Sequence, residues 1–383
     1  MANDDHRVVL TRYHDVVAAY RNRDLKQALF DEGVVMQDVL INLHGDAHRA
    51  RRRLENRLFR RETFELYERE LFPEILRTTL APHVAAGRAE LVSLGHQLMM
   101  NLGALSAGID RPLGTREESF RLYELMMAFI EGATIANYLG DRVALEARVR
   151  DALDEQALPR DVLTVLLRNV DQLALPDDMI LRETAFFLLS GAHTTATSFT
   201  RTVHRLLDHL DTNPGDRARA CDDRRFLQQV VHEVLRLEPP SPVRRRRALV
   251  ETTVGDDMVV PAGTIVDLDL VAANRDRDVF GTAADAFMPG RRLPADVAPW
   301  GTSFGTGMHA CIGLDMAAGT LPDGDTNAGG PADMARLFGL VPVAVQAVLQ
   351  MGIRRDPDDP PQLDAMTSRG YFSRYPVLFS ARH

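Results

Sequence analysis

Apolar and polar residues alternate over residues 7–11 and end near Tyr13, which predicts a short strand leading into a helix over 14–21. Helical periodicity then appears over 48–61, 91–110, 119–139, 182–207 and 228–238. Residues 140–178 read as charged helix and turns punctuated by Pro159 and Pro176, and 250–270 as strands around Pro261-Ala262-Gly263-Thr264. An apolar helical pattern starts after Cys311, breaks at Gly319 to Gly324 and at Gly329-Gly330-Pro331, and resumes near Ala332. No repeat, low-complexity tract or linker divides the chain, so residues 1–383 are expected to form one domain.

Three of these helices carry polar residues with a pattern of their own. Over 48–61, His48 and Arg52 share a face at i, i+4, while Arg49, Arg53, Arg57 and Arg60 form a separate basic stripe. Within the apolar helix 182–207 the run Ser190-Gly191-Ala192-His193-Thr194-Thr195 is an interruption. Gly191 followed by two threonines is expected to weaken the backbone ladder, with hydroxyls filling the gap. Over 228–238, Glu233 and Arg236 lie at i, i+3 on one face, placed for a charge pair.

Composition narrows the class. A hydrophobic content of 45% with 26% charged residues is that of a globular protein with ample chain for a core. Two cysteines without a pairing pattern argue against a disulfide framework and suit a reducing cytosol. The polar start, Met1 to Arg7, lacks a signal-peptide core, and no run approaches the ~18 apolar residues of a membrane span. A cytoplasmic protein is expected, and the net charge of −9 argues against nucleic acid as main partner.

One cysteine sits in an informative stretch, Ser303-Phe304-Gly305-Thr306-Gly307-Met308-His309-Ala310-Cys311-Ile312-Gly313. Glycines so placed let backbone approach something bulky and flat and leave amide N–H groups free to face a thiolate. A lone thiolate cannot build a zinc site or an iron–sulfur cluster, which need several protein ligands, but it can be the single axial ligand of a haem. The bland alternative is a structural cysteine beside a glycine turn. The pattern Phe304-Gly305-x-Gly307-x-His309-x-Cys311-x-Gly313-x-x-x-Ala317 closely resembles the haem-binding loop of the cytochrome P450 monooxygenases, with Met316 where leucine is usual.

The resemblance extends from about residue 7 onward and implies the cytochrome P450 fold: mainly α with small β-sheets. Family members normally carry several dozen further residues before the first strand. The resemblance implies haem b (iron protoporphyrin IX), with Cys311 as iron ligand, Phe304, Gly305 and Gly313 shaping its loop, and His48, Arg52, Arg246 and His309 on the propionates. For His48 and Arg52 the competing reading is a solvated basic helix. Glu233 and Arg236, followed by Pro239-Pro240, resemble the family's bracing pair, with Arg291 nominated to complete it. The segments Ala272 to Asp276, Asp285 to Arg291, Arg369-Gly370 and Tyr375 to Phe379 are also similar to the family, the last two as a terminal hairpin whose tip lines the pocket.

Activity implied in this way is oxidation of a small molecule with dioxygen and electrons ultimately from NAD(P)H, delivered by a ferredoxin-type donor at the basic stripe. Gly191 and Thr194 match the family's oxygen-binding groove, but His193 stands where an acid relays protons. Histidine titrates near neutral pH and can relay protons without supplying a fixed negative charge; the alternative is a histidine bonded within its helix. Arg244 and Arg245 fall where relatives place apolar pocket residues, and either one pointing inward would favour an acidic substrate; the competing reading is that they snorkel to the surface. Two rivals stand beside the monooxygenase: a haem enzyme using peroxide or catalysing coupling or rearrangement, and a non-catalytic recruiting module on the same scaffold.

Overall fold

The computed structural model describes residues 7–28, 36–108, 162–169, 177–321, 336–365, 367 and 369–380. The helix expected over 119–139, most of 140–178, the glycine break at 329–331 and the resumption near Ala332 lie outside them.

The longest element is a central helix, Asp177–Thr212, 36 residues or about 54 Å at 1.5 Å per residue. Ala185, Leu188, Ala192, Ala196, Phe199, Val203, Leu206 and Leu210 are buried along it at three- and four-residue steps, so one stripe faces the core throughout. The helix Leu91–Ala107 crosses that stripe. Its small residues allow the approach: a Cβ on Gly103 would come within 2.8 Å of Leu188, and one on Gly95 within 3.0 Å of Phe199. The expected interruption at Gly191 does not break the helix. The Thr194 hydroxyl donates to the Ser190 carbonyl at 2.7 Å, adding to the local bonding without opening it.

The main sheet has the order β1 (Arg7–Leu10), β7 (Ile265–Asp269), β4 (Val243–Ala248), β2 (Leu25–Gln27), strands being numbered in chain order. β1 runs parallel to β7, and the other pairings are antiparallel. The strand and helix expected at the start are β1 and the helix Tyr13–Arg21. Of the strands expected over 250–270, β5 (Thr252–Val254) and β6 (Met258–Val260) form a hairpin and β7 joins the main sheet. Strand alternation sorts the arginine run of β4. Arg245 turns to the far face and donates to buried Asp267 at 2.8 Å, so it is not a pocket residue. Arg244 and Arg246 share the other face. The terminal hairpin is also revised: β10 (Phe372–Arg374) pairs with β9 (Gln362–Leu363), whereas β11 (Pro376–Leu378) lies between β3 (Arg88–Glu90) and β8 (Arg354–Arg355).

The helix Arg224–Leu237 is capped by Asp223, whose carboxylate accepts from the Arg225 and Phe226 amides. Near its end Arg236, 0% exposed, donates through Nε and Nη2 to Glu233 at 2.8 Å each and through Nη1 to the carbonyls of Asn274 and Ala284. Arg291 reaches the same carboxylate at 3.1 Å. The three residues expected to brace the fold therefore meet, with further backbone groups satisfying the buried charges.

Among the described residues Cys311 is followed by a short helix, Leu314–Ala318, and the next described helix is Leu340–Gln350. The two sides of the break touch: Thr320 N–H donates to the Leu337 carbonyl at 3.0 Å, and Gly319 and Gly339 pass so closely that a Cβ on either would lie 2.4 Å from the other strand's backbone. Both glycines have φ between +77° and +93°, so the crossing excludes side chains by space and by conformation. His232 and Gln228 bond the Ala318 carbonyl, and Glu68 accepts from the Phe338 and Gly339 amides.

A further buried cluster has no counterpart in the sequence expectations. Arg51 donates to Glu183 of the central helix at 2.7 Å, Glu183 also accepts from the Leu40 amide, and Glu55 lies beside them 1% exposed with neither oxygen hydrogen-bonded. Burial drives the Glu183 carboxyl up to about 7, and burial and then Glu183 raise Glu55 well above its ordinary range, against Arg51 and Arg52. These folded carboxyls hold protons to higher pH than the unfolded chain does. Their contribution is therefore best below the ordinary 4.5 and worsens as pH rises from there through about 7. Glu55→Gln should flatten that fall and raise the urea midpoint above pH 7, measured by circular dichroism across pH 5 to 8.

Candidate active site

A cavity of roughly 470 Å³ lies between the Cys311 loop and the central helix. Every residue expected to bind the cofactor or act in catalysis lines it: His48, Arg52, Gly191, His193, Thr194, Arg246, Phe304, Gly305, His309, Cys311 and Gly313. The bracing trio Glu233, Arg236 and Arg291 does not, which fits a supporting position behind the wall.

The Cys311 loop is folded back on itself, with the Cys311 amide donating to the Phe304 carbonyl at 2.8 Å. Phe304 is held edge-on to Trp300, 5.6 Å between centroids. Gly307 has φ +72°, and a Cβ there would meet the Tyr20 carbonyl at 2.7 Å, so the loop presses directly on the first helix. The Cys311 side chain opens onto the cavity. Burial pushes its thiol above the ordinary cysteine range, opposed by the Gly313 amide and by the charges of Arg244 and Arg52. Burial outweighs those donors, and the helix that follows has only five residues. The protein groups alone therefore do not make the thiolate; a metal cation at the sulfur would.

At one end of the cavity the Gly45–Glu55 helix and β4 converge. His48 is 2% exposed and neither ring nitrogen has a hydrogen-bond partner; Nε2 of His309 is likewise unpartnered, and the two rings lie 4.3 Å apart. Arg52 is steadied by Asn56 and by the Ala310 carbonyl, Arg246 by Gln27 and by the face of Tyr20 at 5.2 Å. Burial first and neighbouring cations next depress His48 to about 4 and His309 to about 3, and burial brings Arg246 down to about 10. Arg244 completes this end, near Tyr20 and the sulfur. No Asp or Glu lines the cavity among the described residues. Orphaned imidazoles and guanidiniums without carboxylates fit a flat ligand that brings two carboxylates of its own, and a single thiolate fits its metal. Haem meets both requirements.

The expected basic stripe is broken up. The helix ends at Glu55; all four arginines are exposed, but Arg49 pairs with Asp46 and Arg57 reaches Asn169.

The opposite wall carries Gly191, His193 and Thr194. The His193 ring lies 5.9 Å from that of His96 and edge-on to Tyr371 at 6.0 Å. Burial, then Arg369 and Arg201, hold its pKa below the ordinary imidazole value. His193 is thus neutral at pH 7, which narrows the expected relay role to a neutral tautomer. Arg369, from the segment expected at the pocket-lining tip of the terminal hairpin, lines this wall, and so does Tyr371, which the sequence reading did not single out.

The family model described as Cytochrome P450 matches residues 141–321. Pulcherriminic acid synthase of Bacillus subtilis is 24% identical, over 80% of this chain and 78% of its own length. The cyclomarin C epoxidase CymV of Salinispora arenicola is 27% identical over 82% and 81%, and erythromycin C-12 hydroxylase of Saccharopolyspora erythraea 32% over 43% and 40%. In fold, the chain is similar to the Tepidiphilus thermophilus P450 heme domain (TM-score 0.72, 18% identity, covering 97% of this chain and 88% of that one). It is also similar to HmtT, involved in himastatin biosynthesis (TM-score 0.71, 21% identity, 97% and 91%).

Loss of one guanidinium from the basic end should weaken cofactor retention. Arg246→Leu removes a charge-assisted bond worth about 1.5–3 kcal/mol, so haem transfer to apomyoglobin should quicken by roughly ten- to a hundredfold.

Proposed function

This chain belongs to the cytochrome P450 family of haem-thiolate monooxygenases, and we propose that it oxidises a small molecule of bacterial secondary metabolism. It would act in the cytoplasm as one haem-thiolate domain, residues 1–383, with electrons from NAD(P)H delivered by a ferredoxin-type donor. The named activities of the relatives, an epoxidation and a hydroxylation among them, support the substrate class. Among the described residues no helix is long and apolar enough to cross a membrane. Surface residues Arg53 and Arg60 supply positive charge for an acidic donor.

The observation that carries the reading is the cavity itself, with Cys311 on one wall, Thr194 on the other and the unpaired basic groups at the end between them. Cys311 would ligate the iron, while His48, Arg52, Arg246 and His309 would hold the propionates and fix the plane of the ring. Bound haem supplies activation of dioxygen by a thiolate-ligated iron. Phe304, wedged against Trp300, keeps water from the sulfur side. Thr194 spends its hydroxyl proton on the Ser190 carbonyl, so its oxygen presents lone pairs to the cavity and holds a proton donor there. His193, neutral, can accept a proton at one ring nitrogen while releasing one from the other.

A second reading, use of peroxide in place of dioxygen and reductant, is favoured by one feature. The described cavity wall holds no carboxylate to relay protons, and His193 carries no fixed charge.

Reduced protein under carbon monoxide should show the strongly red-shifted Soret band of thiolate ligation, and Cys311→Ser should abolish it. Its absence from folded, haem-loaded protein sinks the proposal. His193→Glu should raise the product formed per reducing equivalent severalfold in reductase-driven turnover. A wild-type enzyme that turns over only with peroxide, with H193E no different, would establish the second reading.

A further inference from the structure

The charges around the cavity do not balance even with haem in place. Four guanidiniums line it, those of Arg52, Arg244, Arg246 and Arg369, and no carboxylate does among the described residues. A haem brings two propionates, and its ferric iron with one thiolate and the porphyrin dianion is neutral. Arg52, Arg244 and Arg246 stand at the propionate end, beside Tyr20, Gln27 and His48. Arg369 stands apart from them. It lies by Tyr371 on the wall shared with His193, close enough for its charge to depress that imidazole.

Arg369 is also held in place without being neutralised. Its side chain makes no hydrogen bond or ion pair among the described residues, whereas its backbone is clamped: the Arg201 guanidinium donates to the Arg369 carbonyl at 2.5 Å. The same guanidinium, 3% exposed, donates to the carbonyls of Glu238 and Pro239 and covers the Tyr371 ring at 4.9 Å. Tyr371 in turn donates to the Pro240 carbonyl at 2.7 Å. A turn tied down at three points thus presents an unpaired guanidinium at the rim of the cavity, on a residue that is exposed to solvent. The same cavity is also lined by Phe59, Phe186, Phe187 and Leu189, which offer apolar surface to the body of a substrate. Arginine's planar fork matches a carboxylate in two parallel bonds.

We propose that Arg369 is the specificity determinant of the distal half of the cavity, selecting an apolar substrate that bears a carboxylate and seating that carboxylate between Arg369 and His193. The proposal rests on the haem-thiolate reading, and it relocates the preference for an acid from Arg244 and Arg245 to the opposite end of the site. With the carboxylate so held, the apolar body of the substrate lies along the phenylalanine wall toward Thr194. The anion also supplies the negative charge that His193 lacks, placing it on the substrate instead of on the central helix.

The test uses two matched pairs, dodecanoic acid with dodecanamide and phenylacetic acid with phenylacetamide. Binding to haem-loaded wild type, Arg369→Met, Arg369→Lys and Arg244→Gln is read by equilibrium dialysis, which does not depend on turnover. Wild type should bind the acid of at least one pair about tenfold or more tightly than its amide, as one charge-assisted pairing gives. R369M should erase that preference while leaving amide binding and the carbon-monoxide band intact, R369K should restore part of it, and R244Q should keep it. Equal binding of acid and amide in both pairs by wild type, or binding of neither, overturns the proposal, as does a preference that survives R369M or disappears in R244Q. A wild type that lacks the red-shifted band but still shows the Arg369-dependent preference would refute the haem-thiolate reading and leave the anion site standing.

Discussion

A buried space walled by cations is unfavourable until an anion enters it, and the interior of this protein is organised around that fact. Arg52 and Arg246 face inward with His48 and His309; burial lowers the proton affinity of all four, and neighbouring cations lower that of Arg246 and the two histidines further. In a low-dielectric site each added positive charge raises the cost of the next. A dianionic ligand offsets the repulsion among these groups and pairs charges that burial has already desolvated, so the cost of the empty cradle is the counterpart of its grip on an anion. The thiol of Cys311 obeys the same logic with opposite sign: burial favours its proton, and a metal cation bound at the sulfur would displace it.

Holding such a site open requires a frame that does not collapse onto it. The Glu233–Arg236–Arg291 network serves because its charges are spent on one another and on backbone carbonyls, leaving no unsatisfied group to draw water or a side chain inward. It ties the helix Arg224–Leu237 to the segments that lead into the Cys311 loop. The same helix, through His232 and Gln228, fixes the end of the short helix after the loop. The loop is therefore braced from both sides by one element, even though the helix beyond it stops at Gly319.

Features that depend on local spacing were legible in the sequence. The cysteine loop, the His48/Arg52 face and the Glu233/Arg236 pair each follow from a few residues at fixed offsets, and each forms as expected. What escaped depended on direction and on partners far along the chain. Four consecutive arginines look alike in sequence; only the pleat of β4 and the position of Asp267 send Arg245 away and Arg244 inward. The Arg51–Glu183 pair joins residues 132 apart, so no window could reveal it. The basic stripe over 49–60 failed for a local reason: the helix ends at Glu55, and beyond that point helical spacing no longer describes which residues share a face.

His193 shows why residue identity alone misjudges a proton site. Isolated, an imidazole titrates near pH 6.5 and invites the role of a switch near neutrality. Here it is largely withdrawn from water, and burial together with the charges of Arg369 and Arg201 lowers its pKa. A fixed carboxylate on the central helix would pair with those arginines and close the distal space to other anions. A neutral histidine leaves Arg369 available instead. If His193 serves the proton relay and an acid is the substrate, as proposed, a neutral residue at this position both lacks a fixed charge and leaves the distal wall open to an acidic guest. His193 and Arg369 are linked by a single electrostatic balance.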